Sequence, residues 1–408
     1  MVMNKTDRQR LGIRKWIKNG GSGIWCWATG TGKTYGSLML CQTLINKNPN
    51  LKILVSVPTI VLKHQWQEEI NKTKFSNNVT VEVINTILTR DWNVDLFIID
   101  EIHTVCSELS IKVFDIVKYR YFLGLTGTLD RLDGREDLLN MYTSVVDVIT
   151  ADEAIQNNWL SPYRYYKVLI DVDDIQTYYE LNQKFNSLFA VFNFDFAIAM
   201  RCTTDWKFRN QYAAKMGHNS KQITAFAMGW MQILQKRKRF VMSHPKKFEI
   251  AKQIIAARPD KKIVTFSATI KDAESLKTGW TLHSKKKPKE NAQAIENFKQ
   301  CKAGVLNTSK AANAGLDVPD INCEIIISGT SSSIDAQQRR GRGIRRVEGK
   351  LTEIFVLVIK NTVEESWFNR AHKNMSYITI NEEQLKQILD GNVIETRKHE
   401  DVITEYRF

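Results

Sequence analysis

The sequence predicts an α/β protein with two parallel-sheet domains in tandem and a helical basic insert between them. Two series of short apolar runs alternate with helical stretches, one in the first part of the chain and one that starts near Lys246. Successive residues of these runs are apolar, so both faces of each strand would be apolar, as expected of parallel strands that are covered on both faces. Between the two series, roughly from Asp174 to His244, the chain is helical, aromatic and rich in Lys and Arg.

The first series predicts a doubly wound α/β domain, which we place at residues 1–160. We expect its strands at Gly23–Trp27, Lys52–Val57, Val79–Ile84, Val94–Asp100 and Tyr121–Leu125. We expect its helices at Thr34–Asn46 and Leu62–Lys72.

The second series predicts another α/β domain, residues 246–380, without a glycine-rich loop of the kind found in the first. Its expected strands are Lys262–Phe266, Gly304–Asn307, Glu324–Ser328 and Ile354–Ile359. Its expected helices are Ala292–Gln300 and Ile334–Arg345. We assign residues 161–245 to a linker and the basic insert, and residues 381–408 to a charged tail with a helix at Glu382–Leu389.

Composition limits the class of protein. The chain has 408 residues, which suits two or three domains, and its 43% apolar content is too high for a disordered chain. No apolar run approaches the length of about eighteen residues that a membrane span needs, and the N-terminus does not have a secretory pattern. We therefore expect a cytoplasmic protein without a membrane partner. The six cysteines lack metal-ligand spacing, which fits reduced structural thiols.

The net charge of +14 is concentrated in the insert. From Arg201 to Lys247 there are eleven Lys or Arg residues and a single acid, Asp205, which points to a polyanionic partner. Aromatic residues alternate with these cations, as on a surface that stacks bases, but most of them suit the core of a helical subdomain better. Four adjacent cations repel one another without a polyanion, so we assign them to nucleic-acid contact: Lys236, Arg237, Lys238 and Arg239.

A glycine-rich loop follows the first predicted strand and precedes a helix, which is the context of a phosphate-binding loop. Its glycines let backbone N–H groups face phosphates, and the helix adds its positive N-terminal end. Lys33 would reach the β- and γ-phosphates of ATP, and the Thr34 hydroxyl would complete a Mg²⁺ shell. The remaining expected nucleotide contacts in the loop are Thr29, Gly30, Thr31 and Gly32. Trp27 stands where the strict pattern has glycine.

Two acids, Asp100 and Glu101, follow an apolar run that reads Val-Asp-Leu-Phe-Ile-Ile. The carboxyl edge of a parallel sheet is where ligands bind in such domains. Asp100 would orient Mg²⁺ through water, and Glu101 would polarise the attacking water as general base.

These motifs, in this order, resemble the superfamily 2 helicases over residues 5–375. Residues 100–103 match the DExH box, residues 57–59 and 64–66 are similar to motif Ia, and residues 124–129 to motif III. Residues 306–308 and 314–319 resemble motif V, and residues 338–345 resemble motif VI. Within the superfamily the chain is most similar to XPB-like and UvsW-like enzymes, the latter being phage branch-migration helicases.

The resemblance implies two RecA-like domains that bind ATP and Mg²⁺ between them. Arg342 and Arg345 would act as arginine fingers, and Glu101 and Lys33 complete the expected catalytic set. Further nucleotide contacts are implied at Gln9, Gly315, Asp317 and Gln338. Residues that would couple hydrolysis to domain movement are His103, Thr126 and Thr128.

The resemblance also implies where nucleic acid binds, with phosphate contacts at Pro58, Thr59, Thr308 and Lys310. Such contacts carry no base information, so we expect little sequence specificity. We expect an ATP-dependent, monomeric DNA helicase or translocase that acts on single-stranded, forked, branched or R-loop substrates in phage recombination and repair, in the host cytoplasm. Two alternatives stay open: an RNA helicase or duplex translocase without strand separation, and an ATP-switched nucleic-acid clamp with little turnover.

Overall fold

The computed structural model describes residues 3–106, 110–127, 139, 141–309, 321–329, 351–373 and 375–392. In this part of the chain there are two parallel sheets with flanking helices, and a helical insert lies within the second of the two domains. The predicted α/β class is confirmed. Among the described helices, none is both long and apolar enough to cross a membrane.

The first domain contains a six-stranded parallel sheet of order β3-β2-β5-β7-β1-β8. Its strands are β1 (Ser22–Trp27), β2 (Ile53–Val57), β3 (Val79–Val83), β5 (Leu96–Asp100), β7 (Tyr121–Thr126) and β8 (Val145–Ile149). A separate parallel pair is formed by β4 (Trp92–Asn93) and β6 (Val117–Lys118). Every residue of β2 and of β5 is buried, because helices cover both faces of the sheet.

The helices of this domain are α1 (Lys5–Lys18), α2 (Lys33–Ile45), α3 (Ile60–Asn71), α4 (Ile84–Ile87), α5 (Val113–Ile116) and α6 (Ala151–Gln156). Short 3₁₀ turns lie at Ser76–Asn78, Ile102–Val105 and Ser110–Lys112. Helix α1 begins at a side-chain cap from Asn4 and buries Trp16, whose indole N–H donates to the Phe122 carbonyl at 2.7 Å. The amphipathic face of α1 therefore holds the N-terminal helix against the sheet.

The second domain contains a seven-stranded parallel sheet of order β11-β12-β10-β13-β14-β9-β15. Its strands are β9 (Tyr163–Ile170), β10 (Lys262–Ser267), β11 (Trp280–Leu282), β12 (Gly304–Ser309), β13 (Cys323–Ile326), β14 (Thr352–Ile359) and β15 (Ile378–Ile380). Its helices are α11 (Pro245–Ala256), α12 (Ile270–Ser275), α13 (Pro288–Gln300), α14 (Val363–Ala371) and α15 (Glu382–Leu389). The helix expected at Ile334–Arg345 lies outside the described residues.

Strand β9 corrects the assignment of residues 161–245 to linker and insert. It pairs with β14 along its whole length and with β15 on its other side. Arg164 and Lys167 interrupt its apolar run, which hid the strand from the sequence pattern. Lys167 is tolerated in the sheet because its ammonium lies 3.2 Å from the Asn369 side chain and 3.5 Å from the Glu365 carboxylate.

The segment predicted as a charged tail also belongs to the second domain in its first part. Leu385 and Ile388 of α15 are buried in the same hydrophobic cluster as Ile250 and Ile254 of α11. Arg258 donates to the Leu389 carbonyl at 3.1 Å. The hydrophobic face of α15 therefore extends the core of this domain beyond residue 380.

The insert consists of four helices placed between β9 and α11 of the second domain: α7 (Ile175–Ala190), α8 (Phe196–Thr204), α9 (Trp206–Lys215) and α10 (Ser220–Met242). Its core is aromatic, with Phe185, Phe192 and Trp230 buried. The predicted helical character is confirmed, and the preference for core aromatics holds for Trp230 and Tyr212.

The base of the insert is packed on the second domain. Tyr178, Val241 and Met242 are buried against Val363 and Trp367 of α14. The Tyr178 hydroxyl also accepts a hydrogen bond from the backbone N–H of Val363 at 2.8 Å. The insert is thus an elaboration of the second domain.

Candidate nucleotide site and nucleic-acid interface

The loop between β1 and α2 has the backbone of a phosphate cradle. Gly30 and Gly32 have φ of 86° and 89°, in the left-handed region that glycine adopts without steric cost. Gly32 caps the N-terminus of α2, which begins at Lys33. The Thr31 hydroxyl donates to the Ala28 carbonyl at 2.7 Å, which closes the turn. Thr29 and Thr34 are half-buried beside it.

Side chains of α1 hold this loop from one side. Gln9, 2% exposed, donates to the Thr31 carbonyl at 3.1 Å and to the Gly32 carbonyl at 3.3 Å. Lys5 donates to the Gly30 carbonyl at 3.0 Å. With its carbonyls held by α1, the loop keeps the curled shape in which backbone N–H groups can face an anion. Sequence reasoning missed Lys5, although its position four residues before Gln9 places both on one helix face.

The ammonium group of Lys33 lies inside the cradle. It donates to the Trp27 carbonyl at 3.1 Å. Gly127, at the end of β7, lies against the same loop, since a Cβ added there would be 3.2 Å from the Thr29 hydroxyl and 3.7 Å from the Lys33 ammonium. The structure thus brings the phosphate loop and the motif III segment together.

Asp100 ends β5 and is 7% exposed. Its carboxylate accepts hydrogen bonds from the Trp66 indole at 2.8 Å and from the Glu101 backbone N–H at 3.0 Å. Burial, and then the neighbouring charge of Glu101, raise the pKa of Asp100 to about 6, while the positive charge of Lys33 opposes the shift. Trp66 is a second residue that sequence reasoning did not assign to the site.

Glu101, His103 and Thr126 form a connected group. Nδ1 of His103 lies 3.0 Å from the Thr126 hydroxyl and 3.4 Å from the Glu101 carboxylate. His103 and Thr126 are buried, at 5% and 0% exposure. Glu101 itself has φ of 51°, a left-handed conformation that is uncommon for a residue with a side chain and that recurs at functional sites.

Trp27 has a structural explanation. It is fully buried, and its indole N–H donates to the Asp147 carboxylate at 2.8 Å. The ring stacks on Trp25 with centroids 4.4 Å apart. Two glycines make room for it, because a Cβ would lie 2.4 Å from the ring at Gly12 and 2.7 Å from it at Gly36. The indole thus fills the space that these glycines leave.

Asp147 connects Trp27 to α1. The carboxylate of this buried residue also receives Arg8 at 2.7 Å and Lys15 at 2.6 Å. Arg8 reaches the Glu153 carboxylate at 2.7 Å as well. These contacts join α1, β1, β8 and α6 behind the phosphate loop, and none of them was anticipated from the sequence.

Several predicted site residues lie outside the described residues: Thr128, Lys310, Gly315, Asp317, Gln338, Arg342 and Arg345. Their roles stay predictions that rest on the resemblance alone.

Two predicted nucleic-acid contacts are corrected by the structure. Thr308 is fully buried in β12, and its hydroxyl donates to the Thr265 carbonyl at 2.8 Å. Arg237 is 9% exposed, donates to the Asn182 side chain at 2.8 Å and lies 3.9 Å from the Phe185 ring centroid. Burial lowers the pKa of Arg237. Neither side chain is available to a phosphate.

The other candidates are accessible. Three of the four adjacent cations on α10 are exposed: Lys236, Lys238 and Arg239. Of the four, only Arg237 lies on the helix face that packs inward. Thr59 is half-buried and caps α3 by accepting the Leu62 N–H at 3.3 Å, with Pro58 beside it.

A groove of about 1120 Å³ runs between the end of α10 and α12. Four cations from three helices line it: Lys238, Arg239, Lys252 and Lys271. The acids Glu249 and Asp272 also line it, so the groove is positive on balance. A second basic feature, missed in the sequence, is the run Lys285–Lys289 at the start of α13, where Lys285, Lys287 and Lys289 are exposed.

Comparison with known proteins agrees with this architecture. The family "Type III restriction enzyme, res subunit" matches residues 3–95, and "Helicase conserved C-terminal domain" matches residues 246–347. The DNA 3'-5' translocase XPB2 of Sulfurisphaera tokodaii is 23% identical over 379 residues, which cover 88% of this chain and 82% of the relative. The putative helicase 22 of a Sulfolobus islandicus filamentous virus is 22% identical over 90% of this chain and 66% of its own length.

Solved structures share the fold. The Pyrococcus furiosus Hef helicase domain superposes with a TM-score of 0.57 at 16% identity, over 90% of this chain and 99% of that one. The DNA-bound restriction-modification enzyme LlaBIII gives a TM-score of 0.55 at 13% identity, over 91% of this chain and 29% of its own.

A phosphate loop and a strand-end acidic pair on the first of two RecA-like sheets define the class of nucleotide-driven motor enzymes. The chain is an ATP-hydrolysing helicase, and both family matches together with the relatives support a place in superfamily 2.

Proposed function

We propose that the chain is an ATP-dependent DNA helicase or translocase that remodels forked, branched or R-loop nucleic acid with little sequence specificity. The observation that carries the proposal is the group formed by Glu101, His103 and Thr126, beside a complete phosphate loop. This group connects the expected general base, Glu101, to the end of β7. A motor needs such a connection to couple hydrolysis to domain movement, whereas a passive binding module does not. The archaeal relative is named as a DNA 3'-5' translocase, which favours DNA.

ATP and Mg²⁺ fit the residues present. Gly30 and Gly32 shape the cradle, Lys33 lies within it, and Thr34 with Asp100 would hold the ion. When bound, Mg²⁺ neutralises phosphate charge and is usually held by one or two protein groups plus phosphate oxygens. Asp100, kept in place by Trp66, is oriented before the nucleotide arrives.

In hydrolysis, Glu101 accepts a proton from the attacking water, and its left-handed backbone fixes the direction of the carboxylate. His103 transmits the state of Glu101 to Thr126. Arg342 and Arg345 are proposed to stabilise the charge that spreads over the transferred phosphoryl group. Gln9, Gly315, Asp317 and Gln338 complete the proposed nucleotide contacts, and Thr128 the coupling.

The proposed nucleic-acid track contains Pro58 and Thr59 on the first domain and Lys310 on the second. Lys236, Lys238, Arg239 and the basic groove extend it onto the insert. Because the insert is packed on α14, it would move with the second domain when the motor cycles. A monomer suffices for this mechanism, and we place the protein in the cytoplasm, that of the host if a phage encodes it.

The most specific part of the proposal is a role in phage recombination and repair, which rests on the resemblance of the sequence to UvsW-like enzymes. An RNA helicase or a duplex translocase without strand separation is the alternative in the same class. A nucleic-acid clamp that uses ATP only as a switch is the alternative in another class.

The experiment measures the ATPase rate with single-stranded DNA, blunt duplex, forked DNA and RNA side by side, for the parent, Lys33→Ala and Lys47→Ala. Lys47 is an exposed lysine just beyond α2 and serves as the matched control. We expect DNA-stimulated turnover that is strongest with forked DNA, lost in Lys33→Ala and unchanged in Lys47→Ala. Turnover that persists in Lys33→Ala would remove the site assignment, and turnover stimulated only by RNA would favour the RNA alternative.

A further inference from the structure

The turn between α7 and α8 exposes two aromatic rings. In the run from Phe192 to Phe196, phenylalanine occupies every second position. Phe192 is fully buried against Tyr212 and Trp230, whereas Phe194 and Phe196 are 60% and 54% exposed. Two large apolar rings that stay largely in water on one short turn forgo most of the stabilisation that burial would give, so core packing alone does not explain them.

The backbone of this turn is unfavourable for the residues that occupy it. Asn193 and Phe194 have φ of 53° and 57°, both in the left-handed region. Asparagine tolerates this conformation, but a bulky residue adopts it at a steric cost that glycine would avoid. Helices commonly end on glycine at such a position. The side chain of Phe194 is therefore present at a cost to stability.

Hydrogen bonds nevertheless hold the turn in one shape. The N–H of Asn193 donates to the Ala190 carbonyl at 3.0 Å, and that of Phe194 to the Phe189 carbonyl at 3.2 Å. The Asp195 carboxylate accepts the Ile198 N–H at 3.0 Å and so starts α8. The backbone that carries the exposed rings is thus held in one conformation.

Both rings rest on one aromatic layer. The Phe194 ring meets Phe189 edge-on at 5.7 Å, and the Phe196 ring meets Trp230 edge-on at 5.4 Å. Phe189 and Trp230 are stacked at 5.5 Å. A supporting layer of this kind keeps an exposed ring from folding back onto the protein.

We propose that Phe194 and Phe196 form a platform on which an unpaired nucleobase stacks. This rests on the proposed function. The excess of cations on the insert brings a nucleic-acid strand to it, and the flat ring faces then select bases that are free of a duplex. Phosphate contacts bind duplex and single strand alike, so the platform gives the insert its preference for single-stranded or junction DNA.

The test uses forked DNA that carries 2-aminopurine in the single-stranded arm beside the junction, with a blunt duplex of the same length for comparison. The variant Phe194→Gly removes the ring and the backbone strain together. We expect it to melt at the same or a higher temperature than the parent. We also expect roughly 5- to 100-fold weaker binding of the fork, loss of the 2-aminopurine fluorescence change, and duplex binding within about twofold of the parent.

Three further variants separate stacking from other causes. Asn193→Gly relieves the neighbouring left-handed residue but keeps both rings, so it should bind forks like the parent. Phe194→Tyr keeps a ring and should retain binding, whereas Phe194→Leu keeps an apolar side chain in the same strained backbone and should lose it. Unchanged fork binding in Phe194→Gly, or an equal loss in Asn193→Gly, would overturn the platform.

Failure of this inference can be told from failure of the proposed function. If the parent shows DNA-stimulated ATPase and Phe194→Gly binds forks normally, the platform is refuted while the motor stands. If the parent shows neither nucleic-acid binding nor stimulation, the proposed function fails and takes the platform with it.

Discussion

The indole N–H of Trp66 donates to the carboxylate of Asp100 at 2.8 Å, and both side chains are buried. This contact joins α3 to the end of β5 and fixes the direction of the predicted Mg²⁺ ligand. Burial raises the pKa of this carboxyl from 3.8 to about 6, although the hydrogen bond from Trp66 itself opposes the shift.

The raised pKa predicts how stability depends on pH. Between about pH 4 and pH 6 the folded protein binds a proton at Asp100 that the unfolded chain does not bind, so ionised Asp100 costs stability above about pH 6. That cost is relieved as the pH falls through 6 toward 4. In EDTA and without nucleotide, Asp100→Asn should therefore be more stable than the parent by roughly 1–3 kcal/mol near pH 8. Near pH 4 the gain should shrink toward zero.

Urea denaturation of parent and variant at the two pH values measures this difference. Taking the difference cancels the titration of all other groups. An equal gain at both pH values would show that folding does not raise the pKa of Asp100.

Thr126→Val should uncouple nucleic acid from hydrolysis. It keeps the volume of the side chain and removes the hydroxyl that lies 3.0 Å from Nδ1 of His103. Removing a hydrogen bond of about 1.4 kcal/mol corresponds to about tenfold, so stimulation of the ATPase by DNA should fall by about that factor. Basal ATPase should change little. Thr126→Ser restores the hydroxyl and should restore stimulation, and a serine variant as weak as valine would argue against the contact.

Trp27→Phe should destabilise the first domain more than Trp25→Phe. Both indoles are fully buried, but only that of Trp27 donates to a carboxylate, while the Trp25 N–H lacks a partner among the described residues. Loss of the bond to Asp147 should add about 1–2 kcal/mol to the cost of the smaller ring. Thermal and urea unfolding of the two variants measure it. Equal losses would mean that Trp27 contributes through packing alone.

The exposed cations of α10 should act on binding, and the buried one on stability. Replacing Lys236, Lys238 and Arg239 by alanine should weaken nucleic-acid binding and make it less sensitive to salt. The slope of the logarithm of the binding constant against the logarithm of the salt concentration should become shallower by roughly 0.7–0.9 for each phosphate that the variant no longer neutralises. Arg237→Ala should instead lower the melting temperature, because Asn182 and Phe185 lose their partner. A binding titration at several salt concentrations separates the two. A flatter slope in Arg237→Ala would place that side chain on the nucleic acid.

Local patterns explain why much of the first domain was predictable. The strands β1, β2, β3, β5 and β7 were expected within a few residues of their observed bounds, because each is a short apolar run with its own boundary signals. The cradle around Gly30, Gly32 and Lys33 is likewise formed by consecutive residues. Asp100 and Glu101 followed from the rule that ligands meet the carboxyl edge of a parallel sheet.

Contacts between distant segments were not predictable. Lys167 masked β9, and its place in the sheet depends on Asn369 and Glu365, about two hundred residues away. The Trp27 indole donates to Asp147, which lies on β8, a strand that the apolar pattern of the sequence did not predict.

By itself, the sequence determined a two-domain α/β motor with a phosphate loop and an acidic pair, because these are properties of neighbouring residues. Tertiary structure alone decided which polar groups are free to act. Arg237 and Thr308, which were predicted from the sequence to contact nucleic acid, are buried in the structure. Phe194, which was not singled out in the sequence, is exposed. The physical reason is that the burial of a residue depends on what the rest of the chain packs against it. The type of residue sets only the free-energy cost of that burial.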